Sequence, residues 1–143
     1  MGAMMAYGGG CHCGALSVTF ETSQPPASLE RRACQCSFCR AHGALTVSDA
    51  DGALRFDADP TALVRYRFGL KTADFLICAR CGIYVGTMYG EGDEFWGIVN
   101  ANALHDRESF TAPVVAISYD NETASTRGER RKRRWTPVEA FNV

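Results

Sequence analysis

Phe75-Leu76-Ile77-Cys78-Ala79-Arg80-Cys81-Gly82-Ile83-Tyr84-Val85 is the stretch on which the fold turns. Two apolar runs of strand length flank a short turn carrying two thiols, so the segment reads as a β-hairpin with a metal knuckle at its tip. Thiolates separated by two residues can occupy adjacent corners of a tetrahedral zinc site, each about 2.3 Å from the ion. Gly82 supplies the positive φ that turns backbone amides toward sulfur. Such a hairpin brings two ligands only. The best source of a second pair is Cys11-His12-Cys13-Gly14, which opens the strand pattern Ala15 to Phe20.

That leaves Cys34-Gln35-Cys36-Ser37-Phe38-Cys39, three thiols within six residues. Seven cysteines cannot all pair, and in a reducing compartment dense clusters signal metal binding or redox chemistry rather than disulfides. Three protein ligands with one open position is the arrangement of catalytic zinc, whereas structural sites are closed by four. A partition of four and three uses every cysteine. Spacing leaves others open: Cys34, Cys36 or Cys39 joining the 78/81 pair, with Cys11 and Cys13 as a redox couple. A thioredoxin-like role for Cys78 and Cys81 needs a βαβ context, and no long helical period lies beside them. His12, His42 and His105 can each fill an open position, although ordinary surface or packed histidines are the commoner case.

The 143 residues suit one domain, and a chain of that size buries roughly 70% of the surface exposed when unfolded. A formal net charge of −1 gives no whole-chain field to gather nucleic acid or anionic lipid. No apolar run approaches a membrane span and the first residues lack a signal peptide's pattern, so the expected compartment is the cytoplasm. Met1-Gly2-Ala3-Met4-Met5 reads as an expression scar outside the fold. Strand-like runs recur at Ala15–Phe20, Leu45–Val47, Leu54–Phe56, Leu63–Phe68, Asp74–Ile77, Ile83–Met88, Phe95–Val99 and Val114–Ser118. With turn signals between them they predict a single all-β domain over residues 6–126, built of short antiparallel sheets, with helix limited to short turns after Cys39 and around Ala62. Residues 127–143 open with Arg-Gly-Glu-Arg-Arg-Lys-Arg-Arg-Trp and are expected to form a solvated basic tail. No second aromatic interleaves these charges, which argues against a nucleic-acid surface.

Three motifs taken together, Gly10-Cys11-His12-Cys13-Gly14-Ala15, Cys34-Gln35-Cys36-Ser37-Phe38-Cys39-Arg40 and Cys78-Ala79-Arg80-Cys81-Gly82, resemble the glutathione-dependent formaldehyde-activating enzyme family, which includes domains related to centromere protein V. The resemblance runs from about Gly9 to Asp106. It implies a tent-like all-β sandwich shared with small guanine-nucleotide exchange factors, and two zinc ions. By position, Cys11, Cys13, Cys78 and Cys81 match the structural site, and Cys34, Cys36 and Cys39 the catalytic one. The family activity it implies joins formaldehyde to glutathione to give S-hydroxymethylglutathione. Gln35 departs from the pattern, standing where relatives often carry His. Arg40 resembles the family's own arginine.

Three thiolates would leave zinc at a formal −1, weakly electrophilic toward water and better matched to a thiol as fourth ligand. A free thiol ionises at about pH 8.5, and coordination would keep it a thiolate at neutral pH, ready to attack a small aldehyde. The expectation is therefore a carbon–sulfur lyase acting on a glutathione-like thiol and formaldehyde, with Arg40 holding a substrate carboxylate by its guanidinium fork. The rival from another class is a non-catalytic zinc scaffold that binds a protein partner. Either would act as a monomer or a homodimer.

Overall fold

The computed structural model describes residues 2–143, and the start of the proposed scar at Met1 lies outside them. Eleven strands run in chain order: β1 (Met5–Gly10), β2 (Leu16–Thr22), β3 (Arg31–Cys34), β4 (Thr46–Val47), β5 (Ala53–Ala58), β6 (Leu63–Tyr66), β7 (Asp74–Cys78), β8 (Tyr84–Glu91), β9 (Glu94–Asn100), β10 (Val114–Ile117) and β11 (Thr136–Asn142). Among the described residues two α-helices, α1 (Ser37–His42) and α2 (Ala124–Arg134), and three short 3₁₀ turns interrupt them. The chain is mainly β, as its periodicity predicts.

In β2, Leu16, Val18, Phe20 and Thr22 alternate into the core, the period-2 signature of a sheet with one buried face. β7 and β8 form the expected antiparallel hairpin around Cys78 and Cys81. The strands make one connected sheet in the order β1-β2-β5-β11-β9-β4-β3-β10, with β8, β7 and β6 continuing from β9. β9 is the branch point. One edge pairs with β8 along its length, while the other is shared between Thr136 and Pro137 of β11 and Thr46 and Val47 of β4. Two ladders depart from the antiparallel expectation: β10 runs parallel to β3, and β11 parallel to β5.

The core lies between the folded halves of this sheet, with Phe20, Leu54, Val85, Val99, Leu104 and Phe110 almost wholly buried. Gly86 makes a close approach possible. A Cβ there would lie 2.5 Å from the Ile98 carbonyl oxygen and 3.1 Å from the Phe56 ring. Gly86→Ala is accordingly expected to cost about 1–3 kcal/mol of overpacking, read as a melting point lower by about 3–10 °C. An unchanged melt would show that the β8–β9 ladder can yield.

Three strands were not foreseen. β1 begins at Met5, the last residue assigned to the scar, and β3 is too short and too basic to show a period. The third is β11. Residues 127–143, expected to be a solvated tail, instead form most of α2 and then β11, which is inserted between β5 and β9. Around Ala62 the backbone makes a turn rather than a helix.

Candidate functional site

Two sulfur clusters stand at two turns. Cys11 and Cys13 follow β1, Cys78 ends β7, and Cys81 lies in the β7–β8 turn; their four sulfurs all lie within 4.8 Å of one another. The Cys11–Cys13 and Cys13–Cys78 separations are 3.7 and 3.6 Å. Tetrahedral zinc with bonds of 2.3 Å would place its sulfurs about 3.8 Å apart, so the donor set fits that ion. All seven cysteines are free, and none forms a disulfide. Both turns follow one design. Gly14 and Gly82 take φ of 85° and 79°, and the amides of Leu16 and Arg80 point at the sulfurs of Cys11 (3.2 Å) and Cys78 (3.4 Å).

Ionisation in this quartet is strongly divided. For Cys13 a hydrogen bond from the Ala15 amide lowers the thiol's pKa, but bonding to the Cys78 thiol, desolvation and bonding to the Cys11 thiol together outweigh it and push the group up to about 11. For Cys81 desolvation acts upward, yet amide hydrogen bonds from Cys13 and Ile83 and the Cys78 thiol bring it down to about 6. Four crowded sulfurs cannot all ionise without a cation among them.

The second cluster is built by the C-x-C-x-x-C spacing itself. Cys34 ends β3, Cys36 caps α1 with its sulfur accepting from the Cys39 amide at 3.3 Å, and Cys39 sits in the first turn. Their sulfurs lie within 4.8 Å of one another. A hydrogen bond from Cys39, joined by bonds from the Cys36 amide and thiol and, least, by the charge of Arg130, outweighs desolvation and lowers the Cys34 thiol to about 6, while the Cys39–Cys34 bond and burial push Cys39 upward. Behind the trio Phe38 packs edge-on against Phe75 and Tyr84, with ring centroids 4.8 and 5.1 Å away. Tyr84 is fully buried, its hydroxyl hydrogen-bonded to Thr87, and burial raises its pKa. His42 lies tilted against Phe38, with ring centroids 4.5 Å apart. Neither it nor His12 or His105 joins either cluster of close donors.

Above the three sulfurs opens a cavity of about 300 Å³, at the small end of the range for ligand pockets. Phe68, Phe75, Leu70, Ile98 and Trp135 give it apolar walls. Its charged lining is mostly arginine: Arg32 from β3, and Arg127, Arg130 and Arg131 from α2. Arg130 holds Glu122 through two hydrogen bonds of 2.7 and 3.0 Å, Arg127 adds a third at 3.1 Å, and Arg130 lies 3.6 Å over the Tyr119 ring. Arg40, the arginine expected to hold a substrate carboxylate, is exposed on α1 and is not among the lining residues. Helix α2 instead supplies three of the arginines that line the cavity. Its signal was present in the sequence, since Arg127, Arg130, Arg131 and Arg134 recur at i, i+3, i+4 and i+7, a helical face written in arginine instead of leucine. Thr123 and Thr126 close the helix start with a reciprocal capping box.

The chain matches the family model for glutathione-dependent formaldehyde-activating enzyme over residues 6–121. It belongs to that family. Membership in the glutathione-dependent formaldehyde-activating enzymes suggests a formaldehyde-activating function, with glutathione and formaldehyde as the implied substrates, and the two cysteine clusters are compatible with zinc. The chain is similar to a Rhodobacter sphaeroides protein, a structural-genomics target with a crystal structure, at 34% identity and a TM-score of 0.54. That similarity covers 76% of this chain and 99% of the other. No protein of curated function matches the chain. The match to the formaldehyde-activating family ends before α2 and β11, so Arg127, Arg130 and Arg131 lie beyond it. Among the described residues no helix is long and apolar enough to cross a membrane.

Proposed function

We propose that this chain makes or breaks a carbon–sulfur bond between a glutathione-like thiol and a small aldehyde such as formaldehyde, the S-hydroxymethylglutathione type of chemistry. One observation carries the reading: three converging sulfurs form part of the wall of a ligand-sized cavity, in a chain whose family implies these two substrates. Cys34, Cys36 and Cys39 would hold zinc, which when bound supplies a soft open position favouring a thiolate over a thiol. The quartet of Cys11, Cys13, Cys78 and Cys81 would hold a second, structural ion.

In the addition the thiol's sulfur forms a bond to the carbonyl carbon, the C=O π pair moves to oxygen, and that oxygen takes up the proton lost by the thiol. The reverse step returns both. The chain's own residues position and shelter the reactants. Phe68, Phe75, Leu70 and Trp135 keep bulk water from the reacting sulfur, and a dry site strengthens each charge interaction within it. The charge of Arg130 on α2 adds a small pull toward the anionic form of Cys34, favouring an anionic sulfur there. A cavity of this kind supports the enzyme reading over a zinc scaffold, whose site would be closed.

Cys36→Ser is the sharpest test. Serine is itself a good helix cap, so α1 and the circular dichroism spectrum should be retained while one metal equivalent is lost. Turnover of glutathione with formaldehyde is expected to fall by at least about a hundredfold, the scale of a removed metal-site contribution. Turnover equal to that of the unaltered chain would remove the mechanism.

A further inference from the structure

The three-sulfur cluster differs from the quartet in more than number. Cys11, Cys13, Cys78 and Cys81 come from two distant parts of the chain, and their four sulfurs supply every corner of a tetrahedral centre. Cys34, Cys36 and Cys39 lie within six residues, and among the described residues no His, Asp or Glu joins them as a fourth donor. The trio is also assembled in advance. β3 ends at Cys34, the Cys39 amide holds the Cys36 sulfur at 3.3 Å, and α1 is closed behind them by Gly43 in the left-handed conformation at φ 61°. The Gly43 carbonyl accepts from the Asn102 side-chain amide at 3.1 Å, and the Ala44 amide donates to the Cys39 carbonyl at 3.1 Å. Holding three donors ready removes much of the ordering cost that a ligand otherwise meets. All three cysteines line the cavity of about 300 Å³.

The geometry points to a further ligand class for this cluster: a trivalent, thiol-seeking metalloid acid, of which arsenous acid is the small representative, bound by Cys34, Cys36 and Cys39 together. Coordination number decides it. Zinc asks for four ligands and must borrow one from outside the trio, whereas trivalent arsenic forms three bonds in a pyramid and keeps a lone pair in the fourth direction. Soft thiolate donors suit both centres. The exchange needs no oxidant or reductant: three As–O bonds break, three As–S bonds form, each thiol proton leaves with a hydroxide as water, and arsenic stays trivalent. Where zinc already occupies the trio, its three thiolates pass to arsenic, solvent supplies three protons to the departing hydroxides, and the zinc ion leaves. The bound product is uncharged. Its lone pair asks for no hydrogen-bond donor, so walls of Phe68, Leu70, Phe75, Ile98 and Trp135 hold it without the penalty of burying an unpaired polar group. The quartet is the poorer competitor. Arsenic uses only three of its four sulfurs, and taking them disturbs a cage whose Cys13–Cys78 contact joins residues 65 apart in sequence. This inference goes beyond the lyase reading and does not rest on it; where both hold, the metalloid is an inhibitor seated at the reacting position.

Sodium arsenite is the probe, added to the full-length, zinc-loaded chain, which is then separated from free arsenite by gel filtration. Elemental analysis should find one arsenic per chain, with the quartet's zinc still bound and the cooperative melt preserved. X-ray absorption at the arsenic edge should show three sulfur neighbours and no oxygen. Cys34→Ser, Cys36→Ser and Cys39→Ser should each weaken binding by about a hundredfold, the upper scale for removing a group that supports a metal site. An unaltered chain that emerges free of arsenic overturns the site, and so does an arsenic shell of mixed sulfur and oxygen; neither result depends on whether a variant folds. A folded serine variant that binds arsenite as tightly as the unaltered chain overturns it too, as does arsenic gained at the expense of the quartet's zinc and the melt. Failure of the two readings can be told apart: arsenic on three sulfurs in a chain without turnover of glutathione and formaldehyde sinks only the chemistry proposed above. Turnover in a chain that takes up no arsenic sinks only this site.

Discussion

Replacing Cys78 and Cys81 together by serine is expected to leave a chain with no cooperative thermal transition and at least one metal equivalent fewer. The sulfurs of Cys11 and Cys78 are buried in the main core cluster, and the Cys13–Cys78 contact of 3.6 Å joins residues 65 apart in sequence. Structural zinc is worth an apparent 10–16 kcal/mol or about that in small metal-binding folds. A whole domain has a stability of only about 5–15 kcal/mol. Losing the site therefore removes about as much as the fold possesses. Circular dichroism melts and elemental analysis of the purified variant decide the matter, and prolonged treatment of the unaltered chain with a strong chelator should reproduce the loss. A variant that melts cooperatively within a few degrees of the original would show that the quartet is no structural staple.

A chain ending at Asn121, where the family match stops, is the second large-effect expectation: it should fail to give a folded monomer. β11 lies between β5 and β9, so its removal strips hydrogen-bond partners from both and divides the sheet at its middle. Thr136 and Trp135 are buried, and the Asp49 amide would lose its acceptor, the Thr136 hydroxyl at 2.8 Å. The expectation is not trivial, because the Rhodobacter sphaeroides relative covers only 76% of this chain with 99% of its own length. A shorter version of the fold is thus attainable by some sequence. Size-exclusion chromatography and near-UV circular dichroism of the truncated chain would expose aggregation or lost packing. A compact species with native-like signals would mean that β5 and β9 can pair or cap without β11.

Local chemistry was legible where a pattern repeats within a few residues. The alternation in β2 and the apolar runs around Cys78 and Cys81 each carry their period on the page, and the structure places strands there. The cysteine partition was legible too, since ligand spacing is a local property, although the other partitions fell only when the sulfurs were seen to gather as four and three. Helix α2 went unread for a physical reason. Its inward face is arginine, held by Glu122, Tyr89 and Trp135 rather than by aliphatic packing, and a charge run carries no hydrophobic period. β11 was hidden because it is a parallel partner of β5 some 80 residues earlier, and parallel pairing leaves no turn between the strands to recognise.

The sequence by itself determined a mainly β chain pinned by thiol knuckles, because hairpin periodicity and ligand spacing are fixed over short reaches of backbone. Tertiary structure alone decided what surrounds the three-sulfur cluster. Folding carries the C-terminal arginines over Cys34, Cys36 and Cys39 and leaves the nearer Arg40 facing water. Whether a guanidinium is buried without an anion depends on every element packed around it, and no local pattern encodes that sum.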